Sequence, residues 1–156
     1  MKRTAMAAAL CFVVGALALQ AAEAQKTKTA APKVSAKVDT VIVIARVTEI
    51  PGTFPPNDLY NYVYIMKYRV SKILKGTLAA KEILEGHYNP LIPRAQIKDK
   101  MDKCVDGNVE KFEMGAKHKL TLIAPISLVW GEALEDEYFD VSDNKYYALK
   151  ADLVTE

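Results

Sequence analysis

The chain has 156 residues, of which 51% are apolar, 26% charged and 8% aromatic. That balance excludes a disordered chain, a collagen-like repeat and a coiled coil, and it fits one compact domain with a tail. A formal net charge of +2 argues against a dedicated nucleic-acid binder, and two cysteines exclude a disulfide-rich scaffold.

The first segment reads as an export signal. Lys2 and Arg3 form a positive start, and an apolar run follows from Ala5 to Leu19. The run falls short of the ~20 residues that a spanning helix needs. Ala22-Glu23-Ala24 has the A-x-A form of a signal-peptidase site, so residues 1–24 are expected to be removed and the mature chain to start at Gln25. Cys11 follows Leu10 inside the apolar run, which is the wrong setting for lipid attachment, and it leaves with the signal. The mature chain is then one charge above neutral, because Lys2, Arg3 and Glu23 go with the leader. Cys104 remains alone, which excludes an internal disulfide. The expected location is periplasmic or extracellular, with no membrane span after cleavage and no nucleic-acid partner. Residues 25–38 read as a flexible lead-in, and residues 39–156 as a single domain.

Asp39–Ile50 is rich in β-branched residues and stops at Pro51-Gly52, which predicts a strand. Residues 51–58 hold three prolines and a glycine and form a loop, with Phe54 expected as a cover for the core. Tyr60–Leu74 carries the clearest period of two in the chain. Its even positions give Tyr60, Tyr62, Tyr64, Met66, Tyr68, Val70 and Leu74, and Lys75-Gly76-Thr77 marks the turn after it. Lys81–Asn89 predicts a shorter strand in which Gly86 suggests a bulge or bend. Ile97, Met101, Cys104 and Val105 fall on one helical stripe, so residues 96–105 predict a short amphipathic helix ending at Asp106-Gly107-Asn108. Lys117–Val129 predicts a strand that Pro125 ends or kinks. The last pair reads as a hairpin, with Tyr138–Val141 leading in, Ser142-Asp143-Asn144 turning and Lys145–Val154 returning.

The predicted order is strand, long strand, strand, helix, strand, strand. It is the order of an all-β, five-stranded Greek-key barrel of the OB type, with its short helix between strands three and four. A β-sandwich is the runner-up. On the residues DTVIVIARVTEI, YVYIMKYRVSKILKG and MGAKHKLTLI, the stretch from Asp39 to Ala124 resembles the OB-type domain of the netrin-like and TIMP-like group. The chain departs from TIMPs at their inhibitory end. Its expected N-terminus is Gln25 rather than a zinc-binding cysteine, and the cysteine pairs are missing, so no inhibitory residue carries over. The tyrosine-rich strand, KILKG and GHYNP also resemble small exported bacterial proteins that accompany exopolysaccharide acylation.

Catalytic motifs are thin. The mature chain has His87 and His118 but no H-x-x-x-H, C-x-x-C or H-E-x-x-H. Each histidine is expected to be solvated or hydrogen-bonded rather than a ligand, and no cofactor or metal is expected. Glu132, Glu135, Asp136, Glu137 and Asp140 lack the order of a calcium loop and read as a solvated face. No G-x-S-x-G or phosphate-binding glycine loop is present. Cys104 lies on an apolar stripe and reads as a buried, inert thiol.

These absences point to an exported, non-catalytic binding or accessory module. The alternative is an accessory component of cell-envelope or exopolysaccharide assembly that contacts glycan or a partner enzyme. A small hydrolase using His87 with a carboxylate is the competing class. OB barrels bind ligands across strands two and three, and stacked tyrosines suit sugars. The candidate contact residues are therefore Tyr60, Tyr62, Lys67, Arg69, His87 and Tyr88. Against this stands the reading in which Tyr64 and Tyr68 fill the barrel and the other tyrosines line its rim.

Overall fold

The computed structural model describes residues 39–141 and 144–155. The expected leader (1–24), the lead-in (25–38) and two residues of the expected turn, Ser142 and Asp143, lie outside the described residues. The strands are β1 (Val41–Glu49), β2 (Val63–Lys75), β3 (Glu82–Tyr88), β4 (Asp106–Gly107), β5 (Lys117–Ile123), β6 (Leu134–Glu135) and β7 (Tyr146–Leu153).

Five of these strands close on themselves. Around the barrel the order is β1, β2, β3, β7, β5 and back to β1. Every pair is antiparallel except β3–β7, which is parallel over Glu85↔Tyr146 and Gly86↔Tyr147. This is a small all-β barrel of the general OB kind. Closure depends on the 13 residues of β2. Val63–Arg69 pairs with β3, and Lys67–Lys75 pairs with β1. Register shifts in β1 at Ile42/Val43, Ile44/Ala45 and Val47/Glu49 let the ladder turn this corner.

The period of two sorts side chains into two separate cores. Inside the barrel lie Val43, Ala45 and Val47 of β1, Tyr64, Met66 and Tyr68 of β2, Ile83 of β3, and Leu120 and Leu122 of β5, all buried. Tyr62, just ahead of β2, joins them. Phe54 packs on this core edge-to-face with Tyr64 at 4.6 Å, as a loop cover should. The opposite face of β2 and β3, formed by Val63, Ile65, Leu84 and Tyr88, builds a second core outside the barrel. Ile97, Met101 and Val105 cover it from one connection, and Ile126, Val129, Trp130 and Tyr138 from another.

Three local expectations are corrected. The helix over 96–105 does not form. Two single 3₁₀ turns, Arg94–Gln96 and Asp102–Cys104, stand in the β3–β5 connection instead. The Asp99 carboxylate accepts a hydrogen bond from the Met101 amide at 2.7 Å and another from the Tyr88 hydroxyl, so local side-chain bonding displaces the helical ladder. The stripe Ile97, Met101 and Val105 still faces the core.

Gly86 is not a bulge, because the β2–β3 register runs unbroken from Val63↔Tyr88 to Arg69↔Glu82. Glycine makes room there, since a Cβ would lie 2.5 Å from Val63 Cγ1 and 2.7 Å from Ile126 Cδ1 and those side chains would have to shift. The hairpin is not formed either. Tyr138–Val141 is not a strand, and β7 pairs with β5 and β3 instead. Asp136 explains this locally: its carboxylate accepts from the Tyr138 amide at 2.9 Å and pairs with Lys145, which folds the segment into a turn. The strand expected over Lys117–Val129 with an end or kink at Pro125 ends at Ile123, just ahead of the cis Ala124–Pro125 bond, and a 3₁₀ turn follows at Ile126–Leu128.

Candidate functional site

The barrel interior holds an unusual set of polar side chains. Alternation along β3 points Ile83, Glu85 and His87 inward, and β5 contributes His118 from across the barrel. Glu85 and His118 are 0% exposed and His87 is 1% exposed. The Tyr68 hydroxyl stands between the imidazoles, 3.0 Å from His87 Nε2 and 3.1 Å from His118 Nδ1. A phenol has one proton, so it donates to one ring and accepts from the other. Glu85 Oε2 approaches His87 Nε2 to 2.8 Å, but neither carboxyl oxygen has an aligned hydrogen bond.

Arg94 is also buried. Its guanidinium donates to the carbonyls of Asn89 and Ile92 at 2.7 and 2.8 Å, and it sits 5.2 Å from the centre of the Phe112 ring. Asn89 holds this corner. It takes a positive φ of 39°, accepts from the Tyr62 amide and donates to Asn61.

Burial dominates the electrostatics of this set. It pushes the Glu85 carboxyl well above the usual range, with Arg94 pulling the other way. It pushes His87 well below its ordinary value, with Arg94 and His118 adding to the effect. His118 is lowered by burial to about 4. Both rings are therefore neutral near neutral pH. Among the described residues, no group of three or more His, Cys, Asp or Glu side chains is arranged to hold a metal ion.

A second feature opens to solvent. A cavity of ≈ 410 Å³ is lined by Lys67, Glu82, Leu84, Tyr138, Asn144 and Tyr146, among others. It lies where β3 and β7 separate. Their two-residue pairing leaves Glu82–Leu84 without a ladder partner on the β7 side among the described residues. Lys67 Nζ is 2.8 Å from Glu49 Oε2 and 5.1 Å from the centre of the Tyr138 ring. The hydrogen bond from Lys67 lowers the Glu49 pKa. Glu82 pairs with Arg69 at 2.7 Å.

The six residues singled out from the sequence do not form one surface. Tyr60 is 41% exposed and meets Tyr62 edge-to-face at 5.6 Å. Tyr62 is buried and its hydroxyl donates to the Pro55 carbonyl. His87 is inside the barrel. Tyr88 is buried in the outer core against Trp130, with its hydroxyl on Asp99. Lys67 lines the cavity and Arg69 stands beside it through Glu82. Tyr68 fills the barrel, as does Tyr64.

The acidic run is used one residue at a time. Glu132 pairs with Lys100, Glu135 accepts from Tyr60 and Asp136 pairs with Lys145. Cys104 is partly buried against the outer core, and burial raises its thiol pKa.

Several residues of both features were not singled out from the sequence: Glu85, Arg94 and Phe112 inside, and Glu82, Tyr138 and Tyr146 at the cavity. A signal existed for Glu85. In KEILEGHYN, the face that holds Glu85 and His87 also holds Ile83, and the other face holds Leu84 and Tyr88, so both faces are apolar enough to be buried. The cavity left no such signal, because it joins residues 67, 82 and 146 across a gap between strands. No known protein family, curated protein or solved structure matches the chain.

Proposed function

We propose that this chain is an exported, non-catalytic binding or accessory module that takes its ligand in the cavity between β3 and β7. The observation that carries this reading is the contrast in exposure. The acid–base side chains, Glu85, His87 and His118, are sealed at 0–1% exposure. The cavity beside Lys67 is open and offers Tyr138 and Tyr146 with Asn144, Glu82 and Lys67. The self-covered outer face of β2 and β3 supports the same placement. OB barrels bind on that face, and here, among the described residues, its Lys67–Arg69 end is the part left open to solvent. The leader argues for work outside the cytosol, in the periplasm or beyond.

A second reading names the setting: an accessory component of cell-envelope or exopolysaccharide assembly that contacts glycan or a partner enzyme. The cavity chemistry favours glycan, since a sugar ring presents one apolar face and a rim of hydroxyls, and tyrosines with an amide and charged groups match both. The netrin-like, TIMP-like kinship is proposed on the same basis as before, the strand patterns of β1, β2 and β5.

Isothermal titration of the full chain with a panel of envelope and exopolysaccharide oligosaccharides tests this. The expected result is binding by at least one glycan that Lys67→Ala weakens about tenfold, the loss of one charge-assisted hydrogen bond. The variant should stay folded, because its partly exposed ion pair to Glu49 is worth at most ~1 kcal/mol. Binding that Lys67→Ala leaves unchanged would place the ligand elsewhere. Turnover of any panel member would contradict the non-catalytic assignment.

A further inference from the structure

One end of the barrel, where β1 finishes and β5 starts, is crossed by a segment that sends Phe112 into the interior. Residues 108–116 cross this end without forming a strand. They are tied down at both edges. The amides of Asn108 and Val109 donate to the Ala151 carbonyl, and the Arg94 amide donates to Val109. At the other edge, Gly115 donates to the Val47 carbonyl at 2.9 Å, and Val47 donates to Ala116 at 2.9 Å. Between these anchors, Glu110–Met114 makes no backbone hydrogen bond to a barrel strand among the described residues. Glu110, Lys111, Glu113 and Met114 are exposed, and only Phe112 points in, 3% exposed.

The Phe112 ring rests on the buried histidines. Its centre is 4.1 Å from that of His87 and 5.6 Å from that of His118, and the Arg94 guanidinium is 5.2 Å away. We propose that Phe112 is a proton-released stopper: a proton added to the His87–Tyr68–His118 chain drives the Glu110–Met114 arch outward and opens the barrel interior to water.

Among the described residues, the one acid beside an added charge is Glu85, whose Oε2 lies 2.8 Å from His87 Nε2. The groups that face the two rings are Tyr64 and Tyr68 from β2, Glu85 from β3 and Arg94 from the connection, with Tyr147 of β7 acting on Arg94. The interior face of β1 presents Val43, Ala45 and Val47, none of which ionises. An imidazolium here would sit in a solvent-shielded interior beside the Arg94 cation, facing a carboxyl that burial holds toward its neutral form. His118 titrates near 4 while enclosed, against an ordinary 6.5 once wet. Protonating the ring therefore shifts the closed–open equilibrium toward the open form by up to ~300-fold. The arch is the element that can yield, because one phenyl ring is all that holds it down between its anchors, whereas β1, β2 and β5 are tied by long antiparallel ladders.

Hydrogen exchange of the full chain, read residue by residue by NMR and corrected for intrinsic rates, tests this at about pH 7 and about pH 4.5. The proposal expects opening at the Val109 and Gly115 amides to rise on the order of 50-fold at the lower pH, with the central amides of β1, β2 and β5 unchanged. His87→Gln combined with His118→Asn keeps polar atoms near His87 Nε2 and His118 Nδ1 without a titrating ring, and it should abolish the rise.

Equal opening in the strands would show global unfolding and overturn the proposal. So would no pH response at Val109 and Gly115, or a response that survives the double substitution. Phe112→Ala provides a test that needs both histidines in place. With the stopper gone, the His118 pKa read from its ring proton shifts should move from about 4 toward 6.5, and an unmoved value would equally overturn it.

Discussion

Gly86 and Gly107 show how narrowly single positions are fixed. A methyl group at 86 would meet only side chains, those of Val63, Ile126 and Ile65. Gly86→Ala should therefore force repacking at ~1–3 kcal/mol, seen as a lower midpoint in urea with an unchanged slope. At Gly107 the φ is +114° and a Cβ would lie 2.0 Å from the Ala151 carbonyl oxygen, which is backbone and cannot swing away. Gly107→Ala should cost more than Gly86→Ala in the same measurement and should unpair β4 from β7. Tyr68→Phe removes the hydroxyl that both imidazoles share, leaving buried ring nitrogens unpaired at a cost of ~1–3 kcal/mol.

The same residues set the pH dependence of stability. His118 has a depressed folded pKa, so its contribution is complete above 6.5 and is lost as pH falls toward about 4, roughly 3 kcal/mol in all. Glu85 has a raised folded pKa, so its contribution is complete below 4.5 and is lost as pH rises through the folded value. Glu85→Gln should flatten the alkaline limb of a stability–pH curve and leave the acid limb in place, as urea melts at a series of pH values would record.

At the scale of elements, the strands were legible and the connections were not. β1, β2 and β3 announce themselves because alternation has a period that no helix shares, and β-branched or aromatic residues fill it. The stripe of Ile97, Met101 and Val105 is a buried face, as its spacing predicts, but it is not a helix. Ten residues nucleate a helix poorly, and Asp99 offered the Met101 amide and the Tyr88 hydroxyl a better partner. The hairpin failed for a related reason, since Asp136 bonds locally and Lys145 joins it. β7 was then free to close the barrel by reaching β3 in parallel, a long-range pairing that no local pattern records. Asp99→Ala should lower stability by ~1–3 kcal/mol through the loss of both bonds. Far-ultraviolet circular dichroism should keep its β-type shape, because no α-helix is present there to melt.

The molecule as a whole is organised by two cores on opposite faces of one β2–β3 ribbon. That arrangement decides what is available for binding. It turns Tyr62, Tyr64 and Tyr68 toward the barrel, hides Tyr88 under Trp130, and among the described residues leaves the Lys67–Arg69 end open to solvent. The alternation of tyrosines could be read from the sequence, but which face would be roofed by residues 94–138 could not, because the stripe of Ile97, Met101 and Val105 marks a buried face without naming its partner, and Ile126, Val129, Trp130 and Tyr138 lie in a connection without a period.

Hydroxyl-radical footprinting of the full chain probes this directly. Tyr60, Met114 and Phe139 should be oxidised readily, while Tyr62, Tyr68, Tyr88, Tyr147 and Trp130 should be spared at neutral pH. Oxidation of Tyr88 and Trp130 at the rate of Tyr60 would mean that the outer face of β2 and β3 is bare, and the two-core structure would have to be abandoned.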